Sequence, residues 1–224
     1  MTPRLLLPVF VGVFALSACG PAGADNAPAP ASAPSPAQDM PPIAQVGFND
    51  LLRDPAVPFI GAEAADVTII SFVDYNCPYC KMMTPELNAL LEADPKVRIL
   101  YKDWPIFGDP SELAARTALA AGYQGKYEAV HNAFMGSENR IANAEDVRSL
   151  ATGAGVDMAR LDRDLQTHAA DIDAALQRIN AEASALALQG TPAMVINGNL
   201  IPGGMPLAQL QAVVGRVRAG EPIR

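Results

Sequence analysis

Two cysteines separated by two residues stand where a strand pattern hands over to a helix pattern, and this junction constrains the chain more than any other feature. Val67-Thr68-Ile69-Ile70-Ser71-Phe72-Val73 is a β-branched, nearly continuous apolar run of the kind that fills the centre of a sheet. Cys77-Pro78-Tyr79-Cys80 follows directly, and Met83, Leu87, Leu90 and Leu91 then repeat at helical spacing towards Ala93. With three cysteines in the chain, chance produces this spacing only about 3% of the time, so it is read as a motif. Two thiols on the first turn of a helix close into a disulfide with little backbone movement. Cys77 falls at or before the first helical position, where unpaired N–H groups and the helix dipole favour an anion by up to ~2 kcal/mol. Cys77 is therefore the expected attacking sulfur. Cys80, one turn in and more buried, is the expected resolving one, and the intermediate is a mixed disulfide on Cys77.

The rest of the chain reads as a mixed α/β domain of one unit from about residue 47 to 220. Phe48–Asp54 is a short helix or turn ended by Pro55 and Pro58. Val97–Lys102 is a second strand. An Ala-rich block follows, with helical stretches over 111–121, 126–135, 144–154, 157–166 and 169–188, and Gly190 suits the C′ position of the last. Ala193–Ile196 is a short buried strand, Asn197-Gly198 a two-residue hairpin turn, Leu200-Ile201 the returning strand, and Pro206–Ala219 a final helix. Half of the residues are hydrophobic, enough for a substantial core.

Charge and composition exclude several functions. Lys plus Arg are 16 against 24 Asp plus Glu, a net charge of −8, which argues against nucleic acid as partner because phosphate contacts need a basic surface. Two histidines are too few for a His-rich metal site. No metal site and no cofactor is assigned. A structural zinc needs four ligands and does not suit Cys77 and Cys80, although two thiolates hold Cu(I) linearly and leave a copper-binding module as an alternative.

The N-terminus sets the expected compartment. Arg4 precedes a short apolar run, Leu5 to Leu16, interrupted by Pro8 and Gly12, in the layout of a signal peptide. Leu16-Ser17-Ala18-Cys19 resembles a bacterial lipobox, so residues 1–18 are expected to be removed and Cys19 lipidated. A soluble exported form cut after Ala22-Gly23-Ala24 is the alternative. Gly20 in place of an aspartate favours the outer membrane. Residues 19–46 then carry the lipid and a disordered linker; residues 21–42 hold seven Pro and seven Ala, too little apolar area to offset the entropy of ordering. Pro-rich chain extends at about 3.1 Å per residue, so this linker reaches on the order of 70 Å from the membrane.

The run Phe72-Val73-Asp74-Tyr75-Asn76-Cys77-Pro78-Tyr79-Cys80-Lys81 resembles the DsbA-like thiol-disulfide oxidoreductases of the thioredoxin superfamily. Pro85, where thioredoxin-fold helices kink, adds to the likeness. So does the helical block over about 109–189, which looks like the family's insertion between the second and third core strands. Gly190-Thr191-Pro192 resembles the superfamily's cis-proline loop. The resemblance covers about residues 48–219 and implies a thioredoxin fold across 47–224, with Pro192 cis and packed against the cysteines. It also implies that the Thr191 backbone pairs with an extended substrate peptide and that Pro78 and Tyr79 tune the redox poise. Tyr79 replaces the histidine of the most oxidising members, which implies a milder oxidant. Ser71 departs from the family at a strand position where many relatives have a buried glutamate thought to relay protons. Asp74, Lys102 and Asp103 are the nearby candidates for that role, and surface or loop solvation is the plain expectation for all three.

Residues 21–46 contain no apolar heptad or paired strands, so a monomer is expected, and a monomer favours an oxidase over an isomerase. The resulting expectation is an exported enzyme that exchanges disulfides with protein thiols, in the oxidase direction, with a membrane redox partner. A reductase or isomerase of periplasmic thiols is the alternative. His131 and His168 are expected to be structural or solvated, the Met82-Met83 pair to line the core and groove, and Trp104 to pack beneath the active-site face.

Overall fold

The computed structural model describes residues 47–54 and 57–223. The leader, Cys19 and the Pro/Ala-rich linker lie outside these residues. Five strands make one sheet: β1 (Phe59–Gly61), β2 (Val67–Val73), β3 (Val97–Asp103), β4 (Ala193–Ile196) and β5 (Asn199–Pro202), in the order β1-β3-β2-β4-β5. β2 is central. It runs parallel to β3, with Val67 opposite Val97 and Val73 opposite Asp103, and antiparallel to β4, with Phe72 opposite Ala193. Its two faces are both covered, which is why its sequence is apolar without alternation. Ile69 and Val73 join the larger core with Met83, Leu87 and Leu90 of α2 (Pro78–Ala93), whereas Ile70 and Phe72 pack on the other face with Leu51 of α1 (Phe48–Leu52). Pro85 lies inside α2, which is assigned as one helix.

β1 escapes the sequence reading. It is three residues long and flanked by Pro58, so no alternation can be read, and only its antiparallel pairing with Leu100, Ile99 and Arg98 makes it a strand. Gly61 ends it at φ +108°, and a Cβ there would stand 2.6 Å from the Val97 carbonyl oxygen. No other residue fits that approach.

Five helices lie between β3 and β4: α3 (Asp109–Gly122), α4 (Tyr127–Met135), α5 (Ala144–Gly153), α6 (Met158–Thr167) and α7 (Ala169–Ala185). This is the expected helical insertion, and the architecture is the α/β thioredoxin fold expected from the sequence. α3 buries a run of alanines, Ala114, Ala115, Ala118, Ala120 and Ala121, which lets its neighbours approach closely. Ile179 and Ala183 of α7 cover the second face of the sheet. Asn197 and Gly198 take φ of +47° and +78°, as a two-residue hairpin of this composition requires. α8 (Leu207–Ala219) closes the fold against α2, where Glu86 Oε2 accepts the Leu207 N–H at 2.6 Å.

The end of α7 corrects the sequence reading. The helix stops at Ala185, not Leu188, and its left-handed C′ residue is Ala187 at φ +52°, not Gly190. The Leu188 N–H reaches back to the Ala183 carbonyl at 2.9 Å and the Ala187 N–H to Ser184 at 3.0 Å, a Schellman pair. An alanine gives no sign of such a turn. An L-residue with a Cβ pays about 1–2 kcal/mol in this region. Ala187→Gly is therefore expected to raise stability by up to about 1 kcal/mol once the extra entropy of the unfolded chain is subtracted, readable as a higher urea midpoint. A lower midpoint would contradict the assignment of strain here.

Candidate active site

The loop Asp74–Asn76 leads from the end of β2 to Cys77, the N-cap of α2, with Pro78 at the first helical position. That position suits proline, whose missing N–H has no intrahelical partner to lose. Cys77 and Cys80 are both free thiols and both 1% exposed. Cys77 Sγ donates to the Thr191 carbonyl oxygen at 3.1 Å, across 114 residues of sequence. The Thr191–Pro192 peptide is cis. Burial holds the Cys80 thiol well above the ordinary cysteine range, against a smaller opposing hydrogen bond from the Asp74 backbone. The Cys80 carbonyl accepts the Thr84 hydroxyl at 3.0 Å. Beside the cis-proline loop lies an open groove of about 500 Å³, lined by Tyr79, Gly190, Thr191, Pro192, Leu200 and Pro202. None of these side chains is charged. Tyr79 is 66% exposed at its edge and Met82 is 62% exposed on the same helix, while Met83 is buried.

The three candidates for proton transfer are all buried, not solvated. Asp74 organises the loops: Oδ1 accepts the Asn76 N–H at 2.7 Å and the Ser111 hydroxyl at 2.8 Å, and Oδ2 accepts the Ile106 and Phe107 N–H groups at 2.7 and 3.1 Å. Asp103 shares the cysteine face of the sheet with Tyr101, and its Oδ1 accepts the hydroxyls of Tyr75 and Tyr127, each at 3.0 Å. Burial pushes Asp103 up to about 7, against the opposing effect of those two hydroxyls.

Lys102 serves the opposite side of the sheet. Its Nζ lies 2.8 Å from Glu182 Oε2 on α7 and 3.8 Å from Asp54, and its side chain is fully buried. Solvation fails as an expectation because a strand end reads as a surface position until a helix is known to cover it. Lys102→Met should cost about 3–5 kcal/mol by leaving Glu182 buried without its cation, while the exchange rate of the folded fraction stays unchanged. An exchange rate lowered tenfold in a fully folded variant would overturn that separation.

Sequence reasoning missed Asn76. Its side chain forms a two-way clasp with Ile141: Nδ2 donates to the Ile141 carbonyl at 3.0 Å, and Oδ1 accepts the Ile141 N–H at 2.9 Å. Lys81 adds a second clasp, donating to the carbonyls of Ser137 and Asn139 at 2.7 and 2.9 Å. The insertion is thus strapped to the redox loop on both sides of the cysteines. The signal was present in Asp74-x-Asn76, side chains that bond backbone groups in turns. His131 is fully buried and His168 stacks on Tyr123 with ring centroids 3.6 Å apart. Trp104 packs edge-on to Phe72 and donates to Asn180 at 3.0 Å.

A dithiol at the start of a helix, facing a cis-proline loop where the paired strands β2 and β4 end, defines a thioredoxin-fold redox domain. Residues 68–215 match the DSBA-like thioredoxin domain family, and the chain belongs to it. It is similar to the crystal structure of a thioredoxin-like oxidoreductase from Silicibacter pomeroyi DSS-3, with TM-score 0.73 and 42% identity over 78% of this chain and 99% of that one. It is also similar to the thiol-disulfide exchange protein alpha-DsbA2 of Wolbachia pipientis, with TM-score 0.72 and 25% identity over 76% and 91% of the two chains. Among curated proteins it matches Na(+)/H(+) antiporter NhaA 1 of Salinispora arenicola, 26% identical over 73% of this chain, but spans only 25% of that antiporter's length.

Proposed function

We propose that this protein catalyses dithiol–disulfide exchange with protein substrates, with Cys77 as nucleophile and Cys80 as resolving thiol, and that it runs as a disulfide donor. The observation that carries this reading is the Cys77 Sγ contact with the Thr191 carbonyl, at the mouth of an uncharged groove. A substrate strand lying along Thr191 would bring its own sulfur to Cys77. In the donor direction a substrate thiolate attacks Cys77, displacing the Cys80 sulfur, and a second substrate thiol then releases Cys77. Two substrate thiols lose two electrons and two protons, and the Cys77–Cys80 disulfide gains both. Both cysteines are 1% exposed, so Cys80 is not the more buried of the two as the sequence suggested; Cys77 suits the attacking role because it caps α2 and its Sγ contacts the Thr191 carbonyl. Pro78 and Tyr79 set the poise, and the neutral Tyr79 fits a mild oxidant.

The signal and lipobox support export and anchoring through Cys19 on the periplasmic side of a bacterial membrane, with a membrane protein reoxidising the pair and the domain acting as a monomer. Among the described residues no helix is long and apolar enough to cross a membrane. The reduction potential of the Cys77–Cys80 couple, measured against glutathione buffers on protein without residues 1–18 and with Cys19 replaced, tests the direction. A value well above about −270 mV, the thioredoxin range, supports a donor, and a value at or below it makes the protein a reductase or isomerase. Stoichiometric Cu(I) retained against glutathione, without exchange activity, would replace the whole reading by the copper module.

A further inference from the structure

Met83 stands one turn after Cys80 on α2, so the two side chains leave the helix on one face, and both belong to the larger core. A buried methionine is ordinarily a flexible filler. This one also accepts a hydrogen bond: the Met205 N–H reaches its Sδ at 3.3 Å, across 122 residues of sequence. Three residues further along α2, Glu86 Oε2 accepts the Leu207 N–H at 2.6 Å. The redox helix therefore holds the segment between β5 and α8 by two backbone amides.

That segment is part of the groove beside Cys77, since Pro202, Gly203 and Gly204 line it together with Thr191 and Pro192. Its near end is tied to the cis-proline loop, where the Gly203 N–H donates to the Pro192 carbonyl at 3.0 Å. Gly204 then crosses the thioether. A Cβ there would stand 2.9 Å from Met83 Sδ and 3.6 Å from its Cγ, so the approach depends on glycine. Two consecutive glycines give this stretch little backbone preference of its own. Its position is set by the groups that hold it.

We propose that Met83 is a positioning residue for the substrate: its thioether holds the Gly203–Met205 wall of the groove in the arrangement that admits an extended, uncharged peptide segment beside Cys77. This rests on the exchange reading of the pair. The lining of the groove carries no charge, so an ionised side chain entering it would lose water and gain no partner. Uncharged residues next to the reacting cysteine are the class it takes.

The size of the effect follows from population. A peptide gains from the wall only in molecules whose wall is in place, and its apparent dissociation constant rises as that fraction falls. Removing the acceptor lowers the fraction by no more than the net worth of one hydrogen bond, which sets a ceiling of about two- to tenfold. The reacting atoms are held by other contacts. Cys77 caps α2 and meets the Thr191 carbonyl, and Met83 takes part in neither. The loss therefore falls on KM and leaves kcat alone.

The test compares oxidised wild type, Met83→Leu and Gly204→Ala on two reductants. One is a reduced peptide with two cysteines in an uncharged sequence. The other is dithiothreitol, which has no backbone to lie along the groove. Leucine keeps the volume and loses the acceptor. Alanine at 204 leaves Met83 in place but pushes its sulfur off the Met205 amide, a shift a flexible thioether can make. The two variants thus break one contact from opposite sides. KM for the peptide should rise about two- to tenfold in both, with kcat, the dithiothreitol rate and the reduction potential at wild-type values. The Met205 amide should also exchange its hydrogen faster in both, a reading that needs no turnover. An unchanged KM in either folded variant overturns the proposal. So does a fall in kcat or in the dithiothreitol rate at unchanged KM, because Met83 would then act on the cysteines and not on the wall. If Met83→Leu does not fold, Gly204→Ala, which deletes no buried group, decides alone. Wild-type protein that oxidises neither the peptide nor dithiothreitol would instead overturn the exchange reading beneath it.

Discussion

Replacing Cys77 by serine is expected to bring disulfide exchange down by roughly three orders of magnitude or more, to the uncatalysed level. Cys80→Ser should behave differently. Its Cys77 still attacks a substrate disulfide, but no second thiol follows, and the protein accumulates as a mixed disulfide with its substrate. The asymmetry comes from position. Cys77 caps α2 and points at the Thr191 carbonyl beside the groove, while Cys80 is one turn in, with its thiol proton held by burial. Non-reducing electrophoresis of each variant with a disulfide-bonded model protein reads the difference directly. Trapped complexes on Cys77→Ser and none on Cys80→Ser would reverse the roles. Equal activity in wild type and Cys77→Ser would end the exchange reading.

The part of the site that was legible in the sequence is the part built from contiguous residues. β2, Cys77, Pro78 and the start of α2 follow one another, so strand period, cap preference and helix period could be read in one pass. Thr191-Pro192 was legible only through resemblance, because nothing local marks a cis bond or says that a loop 114 residues away will meet Cys77. Burial of charged residues was not legible at all. Asp74, Lys102 and Asp103 sit at the edges of strands and loops, where a single sequence cannot show which helices will cover them. Those covers come from the insertion: α7 brings Glu182 to Lys102, and α4 brings Tyr127 and His131 to the Asp103 cluster. The short β1 and the left-handed Ala187 fail for a related reason, since tertiary contact sets both backbones against what their residues prefer locally.

Asp74→Ala should be among the most destabilising substitutions outside the cysteines. The carboxylate is 1% exposed and takes four donors, two on each oxygen. Alanine leaves the Asn76, Ile106 and Phe107 N–H groups without their acceptor; an orphaned buried donor such as that of Asn76 costs about 1–3 kcal/mol, and the Ile106 and Phe107 donors, on a partly exposed segment, lose less. The Ser111 hydroxyl can rotate and loses less. The sum is roughly 2–5 kcal/mol, a substantial share of the ~5–15 kcal/mol that holds an ordinary domain together. For a domain of this size that lowers the melting temperature by on the order of 10–15 °C. Asp74→Asn is the informative companion. Its oxygen can still take one pair of donors, but its amide then faces the other pair, so the loss should be smaller and still measurable. The two losses differ in what they do to function as well. The Ile106–Phe107 segment and the Cys77 loop are held in register by this one side chain, so exchange by folded Asp74→Ala should slow even where binding area is intact. Calorimetry of the three proteins decides it: melting of Asp74→Ala within a few degrees of wild type would show that the loops hold one another without the carboxylate.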